Sequence, residues 1–147
     1  MRRVGVLGFI ASVLPGISEA DSLQPMAELW KPTDLGYVID ARCSALYFAL
    51  AKLSKIGESG NSESYRVTAT LFIGFAAVQM MKSENLSQNE AEAQLGKDEA
   101  RHRDFYWAEI IKAGKTQSTS GNEKFRVLDS DIPLCLDRGK LYADGKL

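Results

Sequence analysis

The clearest periodicity in the chain begins after Asp34. Ile39, Cys43, Leu46, Leu50 and Leu53 recur at steps of four, three, four and three, the spacing of one face of an α-helix. Tyr47 and Phe48 widen that stripe, and Thr33 or Asp34 can cap its start. Lys52 and Lys55 stand near its end, where the helix dipole favours cations. Gly57 opens the turn GESGN, so the pattern predicts a first helix over residues 35–56.

A second helix, of about 21 residues, is expected from Ser62 onward. Its middle, VTATLFIGFAAVQMM over residues 67–81, carries no charge. A helix apolar on nearly all sides is usually the central member of a bundle, so this one is expected at the centre. Alternatives are a buried strand over 67–75 or a membrane segment. The run is short for a span, its flanks are densely polar and Gln79 interrupts it. Gly74 and its neighbouring alanines would let another helix approach closely. The third helix announces itself through Ser87 and Glu90, which stand in the S-x-x-E relation of a capping box. It is expected to run to Ala113 and stop at Gly114, with Lys112 and Lys115 close by.

KTQSTSGNE reads as loop, and KFRVL after it is a short apolar stretch of unassigned type. DSDIPLCLDRGKLY predicts a brief helix, with Ser130 or Asp131 as cap and Pro133 in its first turn. Short connections between three long helices imply antiparallel neighbours. The expected fold is therefore all-α: an up-down-up three-helix bundle with a short C-terminal helix docked on it.

The first twenty positions have a different character. MRR is a positive start, residues 4–14 are an uncharged apolar run, and Pro15-Gly16 breaks it. Ser18 and Ala20 then put small residues at the −3 and −1 positions of a cut before Asp21. That is the layout of a secretory signal peptide, so residues 1–20 are expected to be a leader and 21–147 one helical domain. The implied location is periplasmic or secreted, with no stable membrane insertion once the leader is gone. Early in the mature part, Met26, Leu29 and Trp30 form an apolar tab that could fold onto the body.

Composition narrows the function classes. Hydrophobic residues make up 45% and charged ones 25%, values of a globular chain, and the formal charge is −1. With acids and bases interspersed, nothing supplies the positive field that nucleic-acid binding requires. In an oxidising compartment the two cysteines, Cys43 and Cys135, are expected to form one disulfide. On the chain-entropy model, closing a loop of about 92 residues contributes roughly 4–5 kcal/mol, less any native-state strain.

Only the third helix carries residues with chemical potential. Leu95, Glu99, His102, Tyr106, Ile110 and Ala113 share one stripe, which sets Glu99 and His102 side by side in apolar surroundings. Glu-x-x-His is the helical pair of carboxylate-bridged metal sites, but His102 is the only histidine and the other helices offer few inward carboxylates. An imidazole beside a carboxylate also suits acid–base work, yet no nucleophile motif or phosphate loop accompanies it. The plainer expectation is that Glu99 and His102 are a hydrogen-bonded polar pair inside the bundle, with Arg101, Arg103 and Asp104 on the solvated face. Phe105, Tyr106 and Trp107 are consecutive and cannot all face one core. No cofactor and no metal ligand set is expected. The sequence therefore points to a secreted or periplasmic helical interaction or ligand-binding protein without catalytic activity, whose partner is a protein, a peptide or a small apolar ligand. The alternative is a metal or acid–base site centred on Glu99 and His102.

Overall fold

The computed structural model describes residues 25–26, 36–116 and 126–147. Four helices make up the fold: α1 (Gly36–Ile56), α2 (Ser62–Glu84), α3 (Gln88–Thr116) and α4 (Arg126–Ala143). No strand occurs among the described residues. The first three helices run up, down and up, and α4 is fastened across α1 by a disulfide between Cys43 and Cys135. The two Cα atoms are 5.5 Å apart and both side chains are fully buried. The expected leader over residues 1–20, the expected caps Thr33 and Asp34, and the tab residues Leu29 and Trp30 lie outside the described residues.

Local signals account for some of the helix ends. Ser87 N donates to Glu90 Oε2 at 2.9 Å and Glu90 N to Ser87 Oγ at 3.4 Å, which is the capping box in place. The Ser87 hydroxyl, which donates to Glu90 Oε2 at 2.6 Å, and then the Ser87 backbone N–H favour the ionised carboxylate and hold the Glu90 pKa below its ordinary value. α1 ends at Ile56 as expected, but the left-handed turn residues are Glu58 (φ 53°) and Gly60 (φ 75°). Asn85 (φ 53°) takes the left-handed position after α2, a role Asn fills at low cost. α3 passes through Gly114 and continues to Thr116. A glycine inside a helix costs about 1 kcal/mol and does not by itself terminate it.

Two expectations are overturned. The central helix is α1, not α2. Every residue from Ile39 to Tyr47 is buried, whereas α2 buries only Ala69, Phe72, Ala76 and Met80, a single stripe. Lack of charge made α2 look central, and a single apolar stripe made α1 look one-sided. In fact Asp40 and Arg42 lie inside, and much of the apolar surface of α2 lies outside. Leu53, at the far end of the α1 stripe, is 43% exposed, while Ala51 and Ser54 beside it are buried.

The second correction concerns α4. It begins at Arg126, so KFRVL contributes to a helix of 18 residues rather than a brief one. Val127 and Leu128 are buried in the main core and draw that segment into helix. Asp131 is consequently no cap; it sits within the helix, fully buried. Pro133 lies on the exposed side, where the carbonyl that its missing N–H leaves unbonded can turn to water.

The disulfide closes a loop with a sequence separation of 92 residues. Replacing both cysteines with alanine is expected to lower the unfolding free energy by about 4 kcal/mol in urea titrations, with α-helical circular dichroism retained. A loss below about 1 kcal/mol would show that the buried ion pairs alone hold α4 in place.

Candidate functional site

Buried polar chemistry concentrates between α1 and α4, on both sides of the disulfide. Asp131, Cys135, Arg138 and Tyr142 recur at steps of four, three and four, so they share one face of α4. On that face Arg138 meets Asp40 of α1, Cys135 meets Cys43 and Asp131 meets Arg42. Two carboxylates therefore lie fully buried, each answered by an arginine of the other helix.

In the first cluster, Arg42 Nη2 is 2.8 Å from Asp131 Oδ2. Tyr106 of α3 donates its hydroxyl to the same oxygen at 2.5 Å and accepts from Arg42 Nε at 3.1 Å. The backbone N–H of Met26, itself buried, donates to Asp131 Oδ1 at 2.7 Å. One carboxylate thus gathers α1, α3 and the Met26 backbone onto α4. Burial raises the Tyr106 pKa far above its ordinary value, with Arg42 opposing and Asp131 adding to the shift, so its proton stays in place.

The second cluster centres on Asp40. It accepts from Arg138 through Nε and through Nη2 at 3.0 Å, from Gln79 Nε2 at 2.7 Å, and from the Tyr142 hydroxyl. Gln79 Nε2 also reaches Tyr142 Oη at 2.6 Å, and Arg138 Nη2 donates to the carbonyl of Gly36 at 3.2 Å. Gly36 leaves room for this cluster: a Cβ there would collide with Gln79 Oε1 and lie 2.8 Å from Arg138 Nη2, so both side-chain ends would have to shift. Tyr142 stacks on Phe75 at 3.8 Å between centroids. Burial, then the hydrogen bond to Asp40, raises its pKa.

The three residues singled out on α3 do not act together. Tyr106 belongs to the Arg42–Asp131 cluster. Glu99 is buried, but its Oε1 has no hydrogen-bond partner, and Oε2 lies 3.8 Å from Arg103. Burial raises the Glu99 pKa, which Arg103 partly opposes and Asp104 reinforces. His102 is half-buried with Nδ1 sealed and unpartnered. Burial first, then the positive charges of Arg42 and Arg101, pull its pKa from 6.5 down to about 4, against Asp98 and Asp131. Instead of the hydrogen-bonded pair expected, Glu99 and His102 each present one unsatisfied buried atom. Among the described residues no group of three or more His, Cys, Asp or Glu side chains could hold a metal ion. Of the aromatic triplet, Tyr106 is buried while Phe105 and Trp107 are half-buried, with Lys52 Nζ 4.1 Å above the Trp107 ring.

The Asp40 and Asp131 carboxylates are thus saturated with donors and closed inside the bundle, fastening α4 to α1. What remains open lies on the outside. Phe48, Glu63, Arg66, Val67, Thr70 and Leu71 border an open groove of about 400 Å³ between α1 and α2. It continues along α2 as an apolar face in which Val67, Leu71 and Val78 are 50%, 56% and 51% exposed. Sequence reasoning missed this face because it placed α2 at the centre of the bundle. No protein-family model matches the chain, and neither a curated protein nor a solved structure does.

Removing one member of a buried ion pair leaves the other uncompensated, which costs about 3–5 kcal/mol. Asp40→Ala and Asp131→Ala are each expected to lose that much in urea denaturation. Asp137→Ala, whose pair with Lys140 is exposed, should leave stability unchanged. A small loss for Asp131→Ala would contradict its role as the gathering point.

His102 generates a pH dependence of defined sign. Its folded pKa lies below the unfolded one, so between 6.5 and about 4 the unfolded chain binds more protons. Stability is retained above pH 6.5 and falls as pH drops toward 4, by about 1–2 kcal/mol after allowing for solvent access. Glu99, with its pKa raised, acts in the opposite direction, losing stability as pH rises from its ordinary value through its folded one. His102→Gln isolates the histidine contribution: in chemical melts between pH 4 and 7, the variant should lose less stability than the parent.

Proposed function

We propose that this chain is an exported, non-catalytic helical binding module that engages its partner through the apolar outer face of α2. The observation that carries this is the exposure of Val67, Leu71 and Val78 along one side of a helix whose other side is packed on the core. Single exposed apolar residues are ordinary on protein surfaces, but a contiguous uncharged strip marks an interaction site. The strip is convex and the groove beside it is open, a shape suited to a protein or peptide more than to an enclosed small molecule. Export is supported by the leader-like layout of residues 1–20 and by the disulfide, which belongs to oxidising compartments. Among the described residues no helix is long and apolar enough to cross a membrane.

A metal or acid–base centre at Glu99 and His102 is the alternative. In its favour stand the two unpartnered buried atoms, Glu99 Oε1 and His102 Nδ1. Against it, the described residues supply no third ligand, and the neighbouring Tyr106 hydroxyl is already committed to Asp131.

The binding face is tested with an apolar fluorescent dye of the anilinonaphthalene type, added to oxidised protein below about 1 μM, where a micromolar association leaves the chain monomeric. The parent protein is expected to enhance and blue-shift the emission. Leu71→Glu together with Val78→Lys should remove more than about half of that signal, since the strip would no longer be apolar. An unchanged signal would defeat the assignment of the face. The location is tested by intact mass of protein expressed with its leader: a chain starting at Asp21 with no free thiol is expected, and two free thiols would count against export.

A further inference from the structure

The outer face of α2 has an internal symmetry that identifies what it binds. Glu63, Val67, Leu71, Gly74, Val78 and Lys82 form its exposed line, at steps of four, four, three, four and four. That series reads the same in either direction. The residues also match across the midpoint: the acid at one end faces the base at the other, valine faces valine, and leucine faces glycine.

We infer that α2 pairs with α2 of a second copy of this chain, antiparallel about a two-fold axis passing between residues 72 and 73. The inference rests on the preceding assignment of α2 as the binding face and names its partner. In a two-fold interface every contact occurs twice, with i touching j and j touching i. Here the axis sets Glu63 against Lys82 of the second copy, Val67 against its Val78 and Leu71 against its Gly74. The leucine is 56% exposed, and nothing lies within 4 Å of the position a Gly74 Cβ would occupy, so a large side chain meets an open hollow. Absence of a side chain at Gly74 lets the two helix backbones come close, while Phe48 walls the strip beside Val67 and Leu71.

Charge supports a second copy over an unrelated partner. Between Arg66 and Lys82 the helix has no ionised group on any side, so nothing within the strip selects a charged surface. The ends are complementary to each other only when the helix is reversed. A parallel pairing would set Glu63 on Glu63 and Leu71 on Leu71. The Glu63 side chain is 70% exposed; Arg66 donates to both of its oxygens, Nε to Oε2 at 3.1 Å and Nη2 to Oε1 at 3.3 Å, and a carboxylate still accepts further donors. Lys82 has no ion-pair partner among the described residues. The paired segment is about 30 Å long at 1.5 Å per residue. A single helix pair of that length falls at the small end of specific interfaces, below about 1,200 Å², and predicts association in the micromolar range.

Sedimentation velocity of the mature, oxidised chain from about 1 to about 200 μM tests the pairing. The parent is expected to shift from monomer to dimer across that range, and Leu71→Glu to remain monomeric with unchanged circular dichroism. Glu63→Lys alone and Lys82→Glu alone each place like charges opposite one another twice per dimer, and each should weaken association roughly tenfold. Mixing these two variants is the decisive arm. In the mixed dimer the two introduced charges face each other as an opposite pair, and the two unaltered residues restore the parental pair. Association should therefore recover to within about threefold of the parent. A parent that stays monomeric at the highest concentration overturns the inference, as does a mixture no heavier than its components. If that monomer still enhances the dye, the binding face stands and the two-fold pairing alone has failed.

Discussion

Charges placed in a protein interior need opposite charges beside them, and α1 puts two there within three residues. Asp40 and Arg42 cannot both point to solvent from the middle of a helix surrounded by its neighbours. Each is costly if unpaired and tolerable only if fully hydrogen-bonded. α4 meets both demands at once, with Arg138 and Asp131 spaced so that Cys135 falls between them. The direction of α4, its register against α1 and the closeness of the two sulfurs are consequences of the same requirement. A slip of α4 by one turn would leave all four charges unanswered, which is a stronger penalty for the wrong register than apolar packing alone provides.

Much of the scaffold was legible along the chain, and the parts that were not have a common cause. Helix spacing located α1 and α2 and the capping box located the start of α3, because those signals act within a few residues of where they are read. The disulfide followed from two cysteines and an inferred compartment. Burial of Asp40, Arg42 and Asp131 was hidden because the partner of each is some 90 residues away, and a charge seen alone looks solvated. The same blindness inverted the roles of α1 and α2. It also shortened α4, since Asp131 resembles a helix cap until its true partners are known. Gly36 is another case: its constraint comes from Gln79 and Arg138, not from any local turn.

For the candidate site, periodicity correctly set Glu99, His102 and Tyr106 on the inward stripe of α3 but said nothing of what they would meet there. Tyr106 reaches down to the Asp131 carboxylate, so the aromatic residue is the one with the defined polar role. His102 lies close enough to Arg42 to feel its charge and is kept neutral by it and by burial. The interior is therefore arranged for permanence. The outward face of α2 leaves Val67, Leu71 and Val78 uncovered, with no charge between Arg66 and Lys82.

The link between Cys43 and Cys135 has a topological corollary. It makes a closed ring of most of α1, all of α2 and α3, and the first half of α4. One backbone cut inside that ring, for instance in the bend around Glu58 and Gly60, yields two pieces that stay tethered through sulfur. Tethered pieces meet again at high effective concentration, so a nicked molecule can reassemble along its original contacts. A protease has to strike twice within the ring to carry anything away, and a single strike outside it removes only a tail.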